Sequence, residues 1–183
     1  MHPLNFIGIS GSLRRQSRNS GLLRAAQAAL PADVSMVMAD LSEVPFYNAD
    51  KASDKPKALL DVFHKLQKAD ALVLACAEYN YSMAPALKNL LDWASREPDN
   101  ALLAGKPVAI MGAGGGMGTS RAQHHLRQVC VYLDLHPLNK PEIFSNAFSS
   151  SFNGEGDLVD EKIQSLVAEQ MAQLAAWTRK LNR

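Results

Sequence analysis

Little in this chain points to a charged partner or an oxidising environment. Nineteen basic residues face eighteen acidic ones, for a formal net charge of +1. That balance provides no electrostatic footprint for nucleic acid and no acidic surface for a basic partner. Cysteine is scarce: Cys76 and Cys130 follow or fall within apolar runs and have no C-x-x-C spacing. Both are expected to be buried and reduced, which excludes a disulfide-stapled secreted scaffold. No apolar run approaches the length that spans a bilayer, and no basic stretch leads into a signal-peptide core. The expectation is a soluble, cytoplasmic protein with no membrane partner. The histidines are isolated (His2, His64, His136) or adjacent (His124, His125), and adjacent residues on a helix point apart. Without ligand spacing, no metal site is expected. The 183 residues are read as one domain, 1–183, able to bury roughly 70 % of the unfolded surface.

What the chain does have is an alternation of short apolar runs and helical stripes. Leu4–Ile9, Val34–Met38, Ala71–Ala75 and Pro107–Met111 read as strands, with a short fifth expected within Leu138–Phe144. Helical stripes fall at Leu22, Ala25, Ala26, Ala29 and Leu30, then at Leu59, Val62, Phe63 and Leu66 behind Pro56. Others fall at Leu87, Leu90, Leu91 and Ala94, at Ala122, Leu126, Val129 and Leu133, and from Ile163 to Leu181. Full apolar strands alternating with helices imply an α/β fold, a parallel sheet covered on both faces. The segment 149–156, rich in Ser and Gly, is the most linker-like and is expected to tie the sheet to the final helix.

In such a sheet, ligands bind beyond the carboxyl ends of the strands, where strand order reverses. Three loops leaving those ends are unusual. The first, Gly11 to Asn19, follows a strand and opens a helix; Ser12, Ser17 and Asn19 add neutral donors, Arg14 and Arg18 charged ones. Unpaired N–H groups and the dipole at a helix start favour an anion. The loop lacks the Gly-Lys-Ser/Thr ending of a nucleoside-triphosphate site and the G-x-G-x-x-G of a dinucleotide site. Hydroxyls in place of glycines suit a terminal monophosphate, although the same residues could be an ordinary helix cap. The second loop carries Glu78, Tyr79, Asn80, Tyr81 and Ser82; its tyrosines cover either a flat ligand or a neighbouring subunit. The third, Gly112 to Ser120, is glycine-rich, suited to close backbone approach or to a mobile surface loop. Together the three favour a planar aromatic ligand bearing a phosphate.

Gly11-Ser12-Leu13-Arg14 with Ser17 and Asn19, then Glu78 to Ser82, Leu87-Lys88-Asn89 and Asp92-Trp93, resemble the NADPH-dependent FMN reductase family over roughly residues 4 to 175. Arg121 to Arg127 and Asn139 to Glu142 are similar to its chromate/quinone reductase and azoreductase branch. The resemblance implies a flavodoxin-like, doubly wound five-stranded parallel sheet of order 2-1-3-4-5, a non-covalent FMN and a homodimer or homotetramer. It also implies that Ser12, Arg14, Ser17, Arg18 and Asn19 hold the FMN phosphate, that Glu78, Tyr79, Asn80 and Tyr81 line the isoalloxazine, and that Gly114 approaches the ring. Tyr81, Arg121, His124 and Glu142 correspond to positions linking subunits. The chain departs from the family pattern at Ala77 (usually Pro), at Gly114 (often Ser) and at His124 (often Tyr).

The activity implied is a two-electron transfer from NADPH or NADH through FMN to quinones, azo compounds, metal oxyanions or free flavin. The flavin would carry the chemistry, so no catalytic acid or base is named. An electron carrier of the flavodoxin kind would be strongly acidic, which this chain is not. A redox-sensing flavoprotein without a substrate of its own stays open.

Overall fold

The computed structural model describes residues 2–181. The strands β1 (Leu4–Ser10), β2 (Val34–Met38), β3 (Ala71–Ala75) and β6 (Pro107–Gly114) form a parallel sheet in the order β2-β1-β3-β6. The helices α1 (Arg18–Ala28), α2 (Lys57–Lys68), α3 (Pro85–Ala94), α4 (Ser120–Tyr132) and α5 (Glu161–Leu181) connect or close it. Between β3 and α3 lies an antiparallel pair, β4 (Glu78–Tyr79) and β5 (Ser82–Met83).

Side chains alternate across the sheet as strand geometry demands. Ile7 and Ile9 of β1 enter a core shared with Leu59, Val62 and Leu66 of α2, Leu87, Leu90 and Leu91 of α3, and Leu126 of α4. Phe6 points the other way, into a core with Leu22 and Ala26 of α1 and Val167, Met171 and Leu174 of α5. All five residues of β3 are buried, as the unbroken run Ala71–Ala75 suggests for a strand covered on both faces. Each fully buried leucine contributes about 1.5–3 kcal/mol relative to exposure, so these stripes dominate the stability of the sheet sandwich.

The fifth sheet position is built in two pieces. β7 (His136–Pro137) pairs with the start of β6, and β8 (Ile143–Asn146) pairs with its end. Most of the expected segment Leu138–Phe144 is therefore the interruption; only Ile143 and Phe144 are strand. Pro137 and Pro141 have no N–H to offer a ladder. Side chains satisfy the carbonyls left over: Arg127 donates to Leu138 O (2.9 Å) and Gln170 to Pro141 O (2.8 Å). β8 also extends β6, which runs three residues past the expected Met111 to Gly114, so the first residues of the glycine-rich loop are strand.

The segment 149–156 is anchored at Phe152 and Gly156, both buried. A Cβ on Gly21 of α1 would lie 1.9 Å from Gly156 O, so helix and segment touch backbone to backbone. Among the described residues, no helix is long and apolar enough to cross a membrane.

Candidate functional site

The loops from β1, β3 and β6 leave the sheet at its carboxyl end. Gly11 N donates to Ala75 O (2.9 Å), tying the first loop to β3 as it departs. Ser17 is the N-cap of α1, with extended backbone and its Oγ accepting from Ser20 N at 3.4 Å. The N–H groups of Arg18 and Asn19 form no hydrogen bond among the described residues, and the first turn holds no acidic residue. Ser12 is almost fully buried, its N–H donating to Ser10 Oγ (3.2 Å) and its Oγ accepting from Arg14 N (3.4 Å). Ser20 Oγ donates to the same Ser10 hydroxyl (3.2 Å). Ser10 and Ser20 thus shape the loop, and the motif reading had missed both. Ser10 closes a strand and Ser20 lies inside a helix, so neither stands out in the sequence.

Arg14 is exposed and Arg18 half-buried, and neither forms an ion pair among the described residues. The Nε of Arg18 is buried and unpartnered. The corner gathers N–H groups, hydroxyls free to donate, and two guanidinium charges that no carboxylate among the described residues compensates. A phosphate monoester has the complementary chemistry: a dianion rich in acceptors. The residues fit the FMN phosphate.

Asn19 is used differently from its neighbours. Its Nδ2 donates to Ala113 O (2.9 Å) and its Oδ1 accepts from Ala113 N (3.0 Å), all of it buried. The side chain is a strap between the start of α1 and the end of β6; only its N–H faces the anion corner unpaired.

The second loop is a tight hairpin. Asn80 (φ 50°) and Tyr81 (φ 66°) are both left-handed, as the favoured two-residue hairpin turns require. Asparagine tolerates this conformation, whereas a tyrosine there costs roughly 1–3 kcal/mol. The Arg121 guanidinium lies 3.9 Å from the centre of the Tyr81 ring, a cation–π contact that offsets part of that strain. Glu78 accepts from Ala122 N through Oε2 (3.1 Å), while its Oε1 lies 3.4 Å from Arg121 Nη1. Its carboxylate thereby serves as the side-chain cap of α4, which Thr119 does not provide. Tyr79 and Tyr81 remain exposed, at 47 % and 65 %.

The third loop is held by contacts only glycine allows. A Cβ on Gly112 would meet Thr119 Oγ1 at 1.9 Å and Cys76 O at 2.6 Å. One on Gly114 would meet Gly118 O at 2.4 Å. Buried Thr119 accepts from Gln123 Nε2 (3.0 Å), which also reaches Ile143 O (2.9 Å). Gly115 and Gly116 have open space where a side chain would be, so a ligand can approach the backbone there.

Of the residues expected at subunit contacts, Tyr81 and Arg121 stack on each other, whereas His124 is exposed on α4. Glu142 pairs with Lys140 (2.6 Å), which holds its carboxyl below the usual range. Both thiols are buried. Burial, and less so the Glu78 charge, pushes Cys76 up to about 12; burial does the same for Cys130. Protonated at any ordinary pH, they are suited to neither nucleophile nor metal ligand. Among the described residues, no cluster of His, Cys, Asp and Glu could hold a metal ion.

Comparison with known proteins agrees with this geometry. The family model described as NADPH-dependent FMN reductase matches residues 4–149. The chain is 46 % identical over 180 residues to an NAD(P)H-dependent FMN reductase of Pseudomonas aeruginosa, covering 97 % of each chain. It is 41 % identical over 181 residues to an NADPH:quinone oxidoreductase of Arabidopsis thaliana, covering 94 % of this chain and 91 % of that one. In structure it is similar to a flavoenzyme NAD(P)H:(acceptor) oxidoreductase from Paracoccus denitrificans, with a TM-score of 0.86 at 25 % identity, over 97 % and 98 % of the two chains.

Proposed function

The chain belongs to the NADPH-dependent FMN reductase family, and from that premise we propose that it transfers two electrons from NADPH or NADH, through bound FMN, to a quinone. Azo compounds, metal oxyanions of the chromate type and free flavin are further acceptors in this reading. The whole chain acts as one flavin domain. The carrying observation is the corner at the start of α1: two N–H groups and two arginines without partners among the described residues, with the hydroxyls of Ser12 and Ser17.

In this reading Ser12, Arg14, Ser17 and Arg18 hold the FMN phosphate together with the N–H groups of Arg18 and Asn19. The hairpin Glu78–Tyr81 lines the ring, and the backbone near Gly114 approaches it. Bound FMN supplies hydride acceptance and two-electron chemistry. The chain's part is to bind and orient. The donors at α1 anchor the phosphate, and the Asn19 strap keeps that anchor in register with β6. The left-handed Tyr81 keeps its ring exposed beside Arg121. No side chain is required to donate or accept a proton, because backbone N–H groups and helix dipoles favour negative charge on a reduced ring without titrating.

The same reading takes the protein as a homodimer or homotetramer, with Tyr81, Arg121, His124 and Glu142 at the contacts. Val131 and Tyr132, 81 % and 78 % exposed at the end of α4, favour a covered surface. Purified protein tests the function. Flavin absorbance together with steady NADPH consumption in the presence of a quinone is expected. A colourless protein that takes up no added FMN would refute it.

A further inference from the structure

Resting on that FMN reading, we propose that residues 152–158, remote from the site in sequence, form a brace that sets the position of the phosphate loop, with Gly156 as the positioning residue. The segment closes on itself before it meets α1. Phe152 and Leu158 form an antiparallel bridge, and both side chains are buried in the core that holds Leu22 of α1 and Val167 of α5. Between them, Asn153 N donates to Asp157 O (2.9 Å) and Gly156 N to Asn153 O (3.0 Å). The Asn153 side chain shapes the tip, its Oδ1 accepting from Glu155 N (3.0 Å) and Asp157 N (2.9 Å). The base is tied to the start of α5. Gln164 Nε2 donates to Leu158 O (2.9 Å) and Ser151 Oγ to Asp160 Oδ2 (3.0 Å). The result is a short knob on a rigid base.

The tip of that knob lies where the phosphate loop becomes α1. Gly156 is left-handed (φ 83°), and a Cβ there would lie 2.7 Å from Gln16 O and 3.3 Å from Ser17 C. From the other side, a Cβ on Gly21 would overlap Gly156 O and come within 3.2 Å of Asp157 Cα. Two glycines, one on each partner, let the knob sit backbone to backbone on the end of the loop and the first turn of the helix. Side chains flank the contact: Gln16 Nε2 donates to Glu155 Oε2 (3.2 Å), and Arg24 Nε to Asp157 Oδ1 (2.6 Å). Both pairs are exposed, so they add register more than stability.

Position matters here because the phosphate donors are carried by backbone. Ser17 and the N–H groups of Arg18 and Asn19 follow directly on Gln16, so a shift of Gln16 and Ser17 displaces all of them. The Asn19 strap to Ala113 ties this turn to β6 on one side, and the knob bears on it from another. Donors held in place before the ligand arrives need no reordering when it binds. The flavin ring is assigned to other segments, the hairpin Glu78–Tyr81 and the backbone near Gly114. The brace therefore governs recognition of the phosphate and leaves ring binding alone. A role in stability only would not make that distinction.

The test titrates the apoprotein with FMN and with riboflavin, read by flavin fluorescence, and takes the ratio of the two affinities. Gly156→Ala is expected to lower the preference for FMN about ten-fold, the effect of losing about one charge-assisted bond, with riboflavin affinity held within about two-fold. Asn153→Ala loosens the tip without placing any atom against α1, so it decides the matter if Gly156→Ala does not fold; a fall of about three-fold is expected. Gly154→Ala, where a Cβ has open space, should leave the ratio unchanged. An unchanged ratio in Asn153→Ala and in folded Gly156→Ala overturns the brace. Equal losses for the two flavins overturn it as well, because they show general loosening of the protein. A fall in Gly154→Ala as large as in Gly156→Ala overturns the assignment to the Gly156 contact. Wild-type protein that binds FMN no more tightly than riboflavin refutes the phosphate reading itself, a result seen before any substitution is made and so distinct from the others.

Discussion

The two ends of the one sheet treat their polar groups in opposite ways. At the amino end most polar groups are paired within the chain, although Arg179 Nε and Asn100 Oδ1 are buried without a partner among the described residues. Lys106 Nζ, its own charge disfavoured by burial, donates to Leu66 O (2.7 Å) and Ala69 O (2.5 Å). Asn5 N donates to Asp70 (2.7 Å), Arg179 pairs with Asp33 (2.6 Å), and Gly105 N reaches Asp134 O (2.7 Å). At the carboxyl end, two N–H groups and two arginines lack partners among the described residues, a tyrosine is held left-handed, and Leu13, Phe46, Tyr79, Tyr81 and Met117 stand exposed. The amino end pairs most of its polar groups by its own contacts, although Val131 and Tyr132 stand exposed there at the end of α4; the carboxyl end gathers the donors without partners and the strained backbone. The difference is the strongest physical sign of where function resides, because leaving donors unpaired and apolar rings in water costs stability that a ligand would return.

If that contrast is right, substitutions at the two ends should separate binding from stability. The largest effect is expected from the Arg14→Ala, Ser17→Ala double variant. Each loss of a charge-assisted or capping bond costs about 1–3 kcal/mol, so FMN affinity should fall by about 30-fold or more. Fluorescence titration measures it, and an unchanged affinity would break the contrast. Gly112→Ala comes next. Its Cβ would drive into Thr119 and the Cys76 carbonyl, costing about 1–3 kcal/mol in chemical denaturation. Lys106→Met, at the amino end, should cost about 1–2 kcal/mol of stability by leaving two carbonyls without their donor. There FMN affinity should hold within about two-fold; a larger change would mean that the ends are coupled. The smallest effect is expected from Tyr81→Gly. Removing the left-handed side chain should return up to ~1 kcal/mol, raising the melting midpoint, while native mass or turnover changes. A midpoint that falls would place the Arg121 contact above the strain.

Much of this was legible in the sequence because it rests on local chemistry. The apolar runs gave β1, β2 and β3 to within a residue, and Pro56 and Pro85 marked the starts of α2 and α3, since proline fits the first helical turn. The cluster of donors at the start of α1 was readable from residue types after a strand. What escaped depends on partners distant in sequence. β6 continues to Gly114 because β8 supplies a ladder, and the fifth strand is interrupted over residues 138–142, around Pro141, between β7 and β8. Asn19 read as an anion donor because nothing nearby announces Ala113, ninety-four residues away, as the partner of its side chain. Glu78 read as a ring-lining residue, and its capping of α4 required the two loops to be seen side by side. The segment 149–156 read as a linker, because nothing in its own residues announces the backbone of α1 against Gly156.

The central claim is that the start of α1 recognises a phosphate. Riboflavin is FMN without that group, so titrating the apoprotein with each isolates the corner's contribution. FMN should bind at least about 100-fold more tightly, and the Arg14→Ala, Ser17→Ala variant should erase most of the difference. Equal affinity of the wild-type protein for the two flavins would contradict the account.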